Sequence, residues 1–210
     1  MKRIYFDIET ERSSQEVGGW SHIEQLGVAC VVTCSSHDDL PSDDLSSDNS
    51  SSANNWVFKT FLREEIPALL LELQRADLVI GFNSRGFDFR VLQPFADFDL
   101  RSLPNLDLMV DLKEVAGFRP GLGNCCEATW GEGKSSNGLE SLQWWREGRR
   151  DEVINYCKHD VSLTRKLHEW GANHGHVQCR DKTTGVRTLD VKWSLDELPQ
   201  AKVPEQGSLF

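Results

Sequence analysis

This 210-residue sequence predicts an α/β fold: a mixed β-sheet flanked by helices, with a hairpin and a tail at the C-terminus. Three observations predict it. Three strand-like runs open the chain, helical and strand-like runs then alternate, and helical patterns close the main body before a last hairpin pattern.

Taken in order, RIYFDIE reads as the first strand and QLGVACVVTC as the second, the latter rich in β-branched residues. A Ser/Asp-rich stretch follows, and WVFKTF is the third strand, so the three form a hairpin system with one expanded loop. LREEIPALLLELQRA has apolar residues at helical spacing, with Pro67 suited to the first turn. DLVIGFN is a short apolar run of the kind found in a sheet covered on both faces. FDFRVLQPFA reads as a helix bent or ended near Pro94. NLDLMVDLKEVA is a short strand running into a helical turn. The Gly-rich region 117–138 resists assignment. GLESLQWWREG and RRDEVINYCKHDVSLTRKLHEWG are helices, the second long and closed by Gly171. HVQCRDKTTGVRTLDVKW is a hairpin around DKTTG. The organisation expected is a main domain over 1–174 carrying a loop insert at 35–55, a C-terminal hairpin over 175–195 and a flexible tail over 196–210.

Composition sets bounds on function. An apolar share of 39% and a charged share of 27% fit a globular protein with a modest core. No apolar run approaches membrane-spanning length. The apolar run after Met1-Lys2-Arg3 is cut off at Asp7, which argues against an export signal and for a cytoplasmic location. The six cysteines show no paired C-x-x-C spacing, so reduced core thiols are expected. Net charge is −10, which weighs against gripping nucleic acid by bulk electrostatics. Five Asp and no Lys or Arg lie in 35–55, so half of that charge sits in one segment with little to bury.

Asp7 and Glu9 do not suit the strand that holds them. Residues i and i+2 share a strand face, so the two acids are neighbours, while Phe6, Ile8 and Thr10 take the other side. Like charges about 7 Å apart repel, and a divalent cation with oxygen ligands removes the conflict. The alternative is a solvated edge strand, which the apolar run before Asp7 disfavours. Asp88 falls near the start of the next helix after strand four, where an acid also suits the helix dipole. Asn83 ends that strand and caps the turn. Tyr156 and Asp160 are i and i+4 and share a helix face.

D-x-E in the first strand, N-x-x-x-F-D after a later strand and Y-x-x-x-D in a C-terminal helix together resemble the DEDD 3′→5′ exonucleases. The resemblance runs from Asp7 to Asp160 and is closest to stand-alone enzymes akin to the proofreading domain of family B polymerases. It implies an RNase H-like fold and a metal-dependent 3′→5′ exonuclease acting on single-stranded DNA or RNA. Tyr156 stands where the Tyr subclass has its tyrosine. The position used by the His subclass is Asn155, and His159 keeps a structural reading.

The resemblance further implies that Asp7, Glu9, Asp88 and Asp160 hold two ions, Mg²⁺ or Mn²⁺, with Asp7 between them. Tyr156 would orient the attacking water, since a phenol of ordinary pKa near ~10 is a poor general base at neutral pH. Thr10, Phe87 and Asn83 are expected on the substrate side. A ribonuclease or endonuclease on the same fold, or an inactive nucleic-acid-binding module, is the alternative.

Other residues admit two readings. Trp144 and Trp145 can stack on bases or complete a helical apolar stripe with Leu139 and Leu142. Arg146, Arg149 and Arg150 can hold phosphates or balance nearby acids, and Lys134 can reach a phosphate. The C-terminal QGSLF resembles the bacterial sliding-clamp-binding pentapeptide, with Gly207 in place of the usual Leu. Gln206, Leu209 and Phe210 are its partner-binding candidates.

Overall fold

The computed structural model describes residues 1–36, 56–133 and 138–198. The Ser/Asp-rich insert beyond Ser36, Lys134 and the Gln206, Leu209 and Phe210 motif lie outside the described residues.

Five strands form one sheet: β1 (Arg3–Thr10), β2 (Val28–Ser36), β3 (Trp56–Phe61), β4 (Leu78–Gly81) and β5 (Asn105–Asp107). Their order is β3-β2-β1-β4-β5. β2 runs antiparallel to β1 and β3, whereas β4 is parallel to β1 and β5 to β4. This is a mixed sheet of the RNase H-like kind. Helices α1 (Ile66–Gln74), α2 (Asp88–Leu92), α3 (Leu108–Ala116), α4 (Leu122–Trp130), α5 (Gly138–Arg146) and α6 (Arg150–His174) flank it, and β6 (His176–Asp181) pairs with β7 (Gly185–Asp190) as the C-terminal hairpin.

The period of two in β1 divides the core. Ile4, Phe6 and Ile8 face one cluster with α1 and α2, through Leu69, Leu73, Phe89 and Leu92. Tyr5 faces the other cluster, built from α3, α4, α6 and the hairpin through Leu112, Cys126, Val161, Val177 and Leu189. Alternation therefore puts Asp7 and Glu9 on the side of α6. All six cysteines are buried and reduced.

One local expectation needs correction, and two stretches left without an assignment hold regular structure. Gly171 does not end the long helix, which runs to His174 and stops at Gly175 in the left-handed region, φ 72°. Gly171 is buried inside the last turn because Trp193 packs onto its Cα: a Cβ there would lie 2.4 Å from the indole. The unassigned Gly-rich region contains α4, whose buried side is Leu122, Cys125 and Cys126. The chain between β1 and β2 holds a 3₁₀ segment, Trp20–Gln25, that no periodicity announced. Pro67 does sit in the first turn of α1, and α2 gives way to a 3₁₀ turn at Gln93–Phe95 containing Pro94.

Candidate metal centre

Strand β1 and helix α6 build the centre between them. Asp7 and Glu9 point from β1 toward α6, and Asp160 points back from the middle of α6. One carboxylate oxygen from each of the three lies within 4.8 Å of the others. Tyr156, one helical turn before Asp160, is buried beside them and meets Trp144 edge-on at 6.1 Å. Asp88 comes from the opposite layer. Phe6 and Phe89 stack at 5.6 Å between the sheet and α2, which holds α2 against β1. Asp88, one residue before Phe89, thereby comes close enough to Asp7 to feel its charge.

The electrostatics are those of acids held together. Glu9, Asp88 and Asp160 are 8%, 3% and 2% exposed, a costly placement for carboxylates. Burial pushes the Glu9 carboxyl well above its ordinary range, and the charge of Asp7 adds to it, while a hydrogen bond from the Ser141 hydroxyl at 2.6 Å opposes the rise. Burial likewise raises Asp88, with Asp7 again adding, against hydrogen bonds from the backbone N–H groups of Asp88 and Ile8. Asp88 Oδ1 is buried with no hydrogen-bond partner among the described residues. Hard divalent cations take such all-oxygen donor sets. The unsatisfied Asp88 oxygen and the convergence of Asp7, Glu9 and Asp160 fit a hard divalent cation. The Cys157 thiol donates to the Asp7 carbonyl at 3.3 Å and backs the strand from the core side.

The four acids and Tyr156 line one pocket of about 480 Å³, together with Thr10, Asn83 and Phe87. Thr10 donates to the Arg12 carbonyl at 3.0 Å. Asn83 turns the chain after β4 in the left-handed region, φ 71°, and its carbonyl accepts from the N–H groups of Gly86 and Phe87. Phe87 meets Trp20 edge-on at 6.4 Å.

Other candidates lie elsewhere. His159 faces Glu132 at 3.9 Å, outside the pocket. The arginines after α5 are engaged: Arg146 with Glu16 at 2.7 Å, Arg149 with Glu147 and Glu152, and Arg150 over the Trp145 ring at 3.2 Å. That favours charge balance over phosphate binding for Arg146 and Arg149, while Arg150 is held by Trp145, whose carbonyl also accepts from it at 2.6 Å. Trp144 and Trp145 pack against the core.

Four residues of the site were not read from the sequence. Ser141 is the buried residue of α5 and bonds Glu9; the available signal was a small polar residue on the inward face of an amphipathic helix. Asp107 caps α3 and also accepts from the N–H groups of Asn83 and Arg85, tying down the turn that leads to Asp88. Arg12 and Trp20 line the pocket from the β1–β2 connection, and no sequence signal places them there.

No protein-family profile matches the sequence, and no curated protein does. Among solved structures, the fold is similar to the family B DNA polymerase from the hyperthermophilic archaeon Pyrobaculum calidifontis, with TM-score 0.55 and 16% identity, over 81% of this chain and 24% of that one. The chain thus spans about a quarter of the polymerase's length. Among the described residues no helix is long and apolar enough to cross a membrane.

Proposed function

We propose that this protein is a metal-dependent 3′→5′ exonuclease acting on single-stranded nucleic acid, with DNA as the favoured substrate. The observation that carries the reading is the convergence of Asp7, Glu9 and Asp160 within 4.8 Å, with buried Asp88 beside them, on the floor of one pocket. Four acids placed together against their own repulsion are explained by cation binding and by little else.

Asp7, Glu9, Asp88 and Asp160 would hold two divalent ions. Bound divalent cations supply activation of a water and stabilisation of the charge that develops on the leaving oxygen. Tyr156 orients the attacking water through its hydroxyl. Ser141 fixes the rotamer of Glu9, and Asp107 holds the turn that presents Asp88. Thr10, Phe87 and Asn83 border the terminal nucleotide. The pocket's volume suits one nucleotide rather than a duplex, and the likeness to part of a DNA polymerase accords with a nucleic-acid substrate. Polarity rests on the ordered D-x-E, N-x-x-x-F-D and Y-x-x-x-D resemblance. We extend the reading to the C-terminal Gln206, Leu209 and Phe210, which would tether the enzyme to a bacterial sliding clamp and raise its effective concentration on DNA. Calorimetry of full-length and tail-truncated protein against a clamp tests this; equal heats would remove the tether.

The activity is tested with single strands labelled at the 5′ end and blocked at either terminus, in Mg²⁺, Mn²⁺ or EDTA. A ladder shortening from the 3′ end, stopped by a 3′ block and by EDTA, is expected. Internal cuts of a 3′-blocked strand would show an endonuclease instead.

A further inference from the structure

The connection between β1 and β2 projects a tryptophan into solvent at the mouth of the pocket. Trp20 is 66% exposed, an unusual position for so large an apolar surface. It lines the same pocket as the four acids, with its ring edge-on to Phe87. Arg12 is the only Lys, Arg or His among the pocket's described lining residues. Its guanidinium forms no ion pair among the described residues, although the chain around it is dense in them. Glu11 is held by Arg63 at 3.1 Å, Glu16 by Arg146 at 2.7 Å and Glu24 by Arg90 at 3.2 Å. The Arg12 N–H also donates to the Leu26 carbonyl at 3.0 Å, closing the connection at its base. The segment is therefore tied to the chain before α1, to α5 and to α2, while Arg12 is left available.

An indole face in solvent and a lone cation, both on a pinned segment beside an acid-floored pocket, match the two parts of a nucleotide: a base with a π face and a phosphate. Resting on the nuclease reading above, we infer that Trp20 and Arg12 form a strand-holding subsite. Trp20 stacks on the base of the terminal nucleotide, and Arg12 takes a backbone phosphate. In a chain of net charge −10 this is where binding energy for the strand is gathered without relying on the overall field. Stacking is sequence-tolerant, because every base offers a π face.

The test is equilibrium binding, read separately from hydrolysis. A short oligodeoxythymidylate with a fluorescent 5′ end is titrated by anisotropy, with Ca²⁺ as the divalent ion, between about 50 and 200 mM salt. Trp20→Ala should weaken binding by roughly 5- to 150-fold without changing the salt slope, the range for loss of one base–aromatic stack. Trp20→Phe should stay near wild type. An abasic 3′ end should weaken the wild type by a similar factor and add little to Trp20→Ala. Arg12→Gln should lower the log–log salt slope by about 0.7, one single-strand phosphate contact. Trp20→Ala binding like wild type, an abasic penalty undiminished in that variant, or an unchanged slope in Arg12→Gln would overturn the subsite. Normal 3′→5′ hydrolysis alongside any of these would sink the subsite and leave the nuclease reading. Trp20-dependent binding without mononucleotide release would do the reverse, and no binding of the strand at all would end both.

Discussion

Asp88 and Asp107 make an instructive pair. Both are acids at the start of a helix, and both are buried, at 3% and 2% exposure. Asp107 is surrounded by donors: its carboxylate accepts from the N–H groups of Asn83 at 2.8 Å, Arg85 at 2.9 Å, Met109 at 3.1 Å and Val110 at 3.4 Å. Asp88 has a buried oxygen with no hydrogen-bond partner among the described residues, and its strongest charged neighbour is another acid, Asp7. Burial raises the carboxyls of both and backbone N–H groups oppose the rise at both, but the Arg85 charge lowers Asp107 whereas the Asp7 charge raises Asp88 further. Asp107 is matched to the fold and serves architecture. Asp88 is mismatched to the fold, and what would match it is a cation.

Substitutions should separate the two kinds of acid. Asp7→Ala, Asp88→Ala or Asp160→Ala should cut nuclease activity by more than about 10⁴-fold, because several kcal/mol of transition-state stabilisation goes with the site. The metal-free proteins should melt no lower than wild type, since repulsion among clustered acids is relieved. Single-turnover assays and calorimetric melts check the two halves. Tyr156→Phe should lower kcat by ~10²–10⁴-fold with strand affinity near normal, as expected for a group that positions a reacting water; an unimpaired Phe variant would return Tyr156 to a packing role. Asp107→Ala should behave oppositely to Asp88→Ala, losing about 2–4 kcal/mol of stability in denaturant melts as buried N–H groups lose their acceptor.

A smaller effect concerns pH. Glu9 and Asp88 have folded-state pKa values raised by burial and by Asp7. Their contribution to stability is therefore fully present below the ordinary carboxylate range, near ~4, and is lost as pH rises through the raised values. In EDTA, Glu9→Gln should gain Tm relative to wild type as pH rises from about 4 toward 8. Saturating Mn²⁺ at neutral pH should restore wild-type Tm, a stabilisation of about 2.7 kcal/mol per site at a hundredfold excess over Kd, and should raise the Tm of Asp7→Ala by less. A Glu9→Gln difference that is flat across pH would mean that the acid is not under strain.

Much of the site is visible in the sequence because its logic is local. The period of two in YFDIET places Asp7 with Glu9 opposite Phe6 and Ile8, and the i, i+4 spacing places Tyr156 with Asp160; neither needs tertiary knowledge. Ser141, Asp107, Arg12 and Trp20 escape because their meaning lies in what they meet across the fold. Ser141 is an ordinary helix residue until α5 lies against β1, and Trp20 is an apolar residue in a loop until Phe87 lies beside it. Gly171 misleads for the same reason. A glycine late in a helical pattern reads as a stop, yet this one makes room for Trp193, and the stop falls at Gly175. The helix α4 stays hidden because glycines surround it and its apolar side rests on one leucine and two cysteines.

If Asp7, Glu9, Asp88 and Asp160 are together for a cation, the protein binds one in the absence of substrate. Direct titration with Mn²⁺, followed by calorimetry and by the loss of the free-ion paramagnetic resonance signal, tests it without any assumption about substrate. Saturable uptake of two ions per wild-type chain is expected, with at least one lost in Asp7→Ala and both kept when the architectural acid is changed in Asp107→Asn. Absence of saturable uptake by wild type, or identical uptake by wild type and Asp7→Ala, would contradict it.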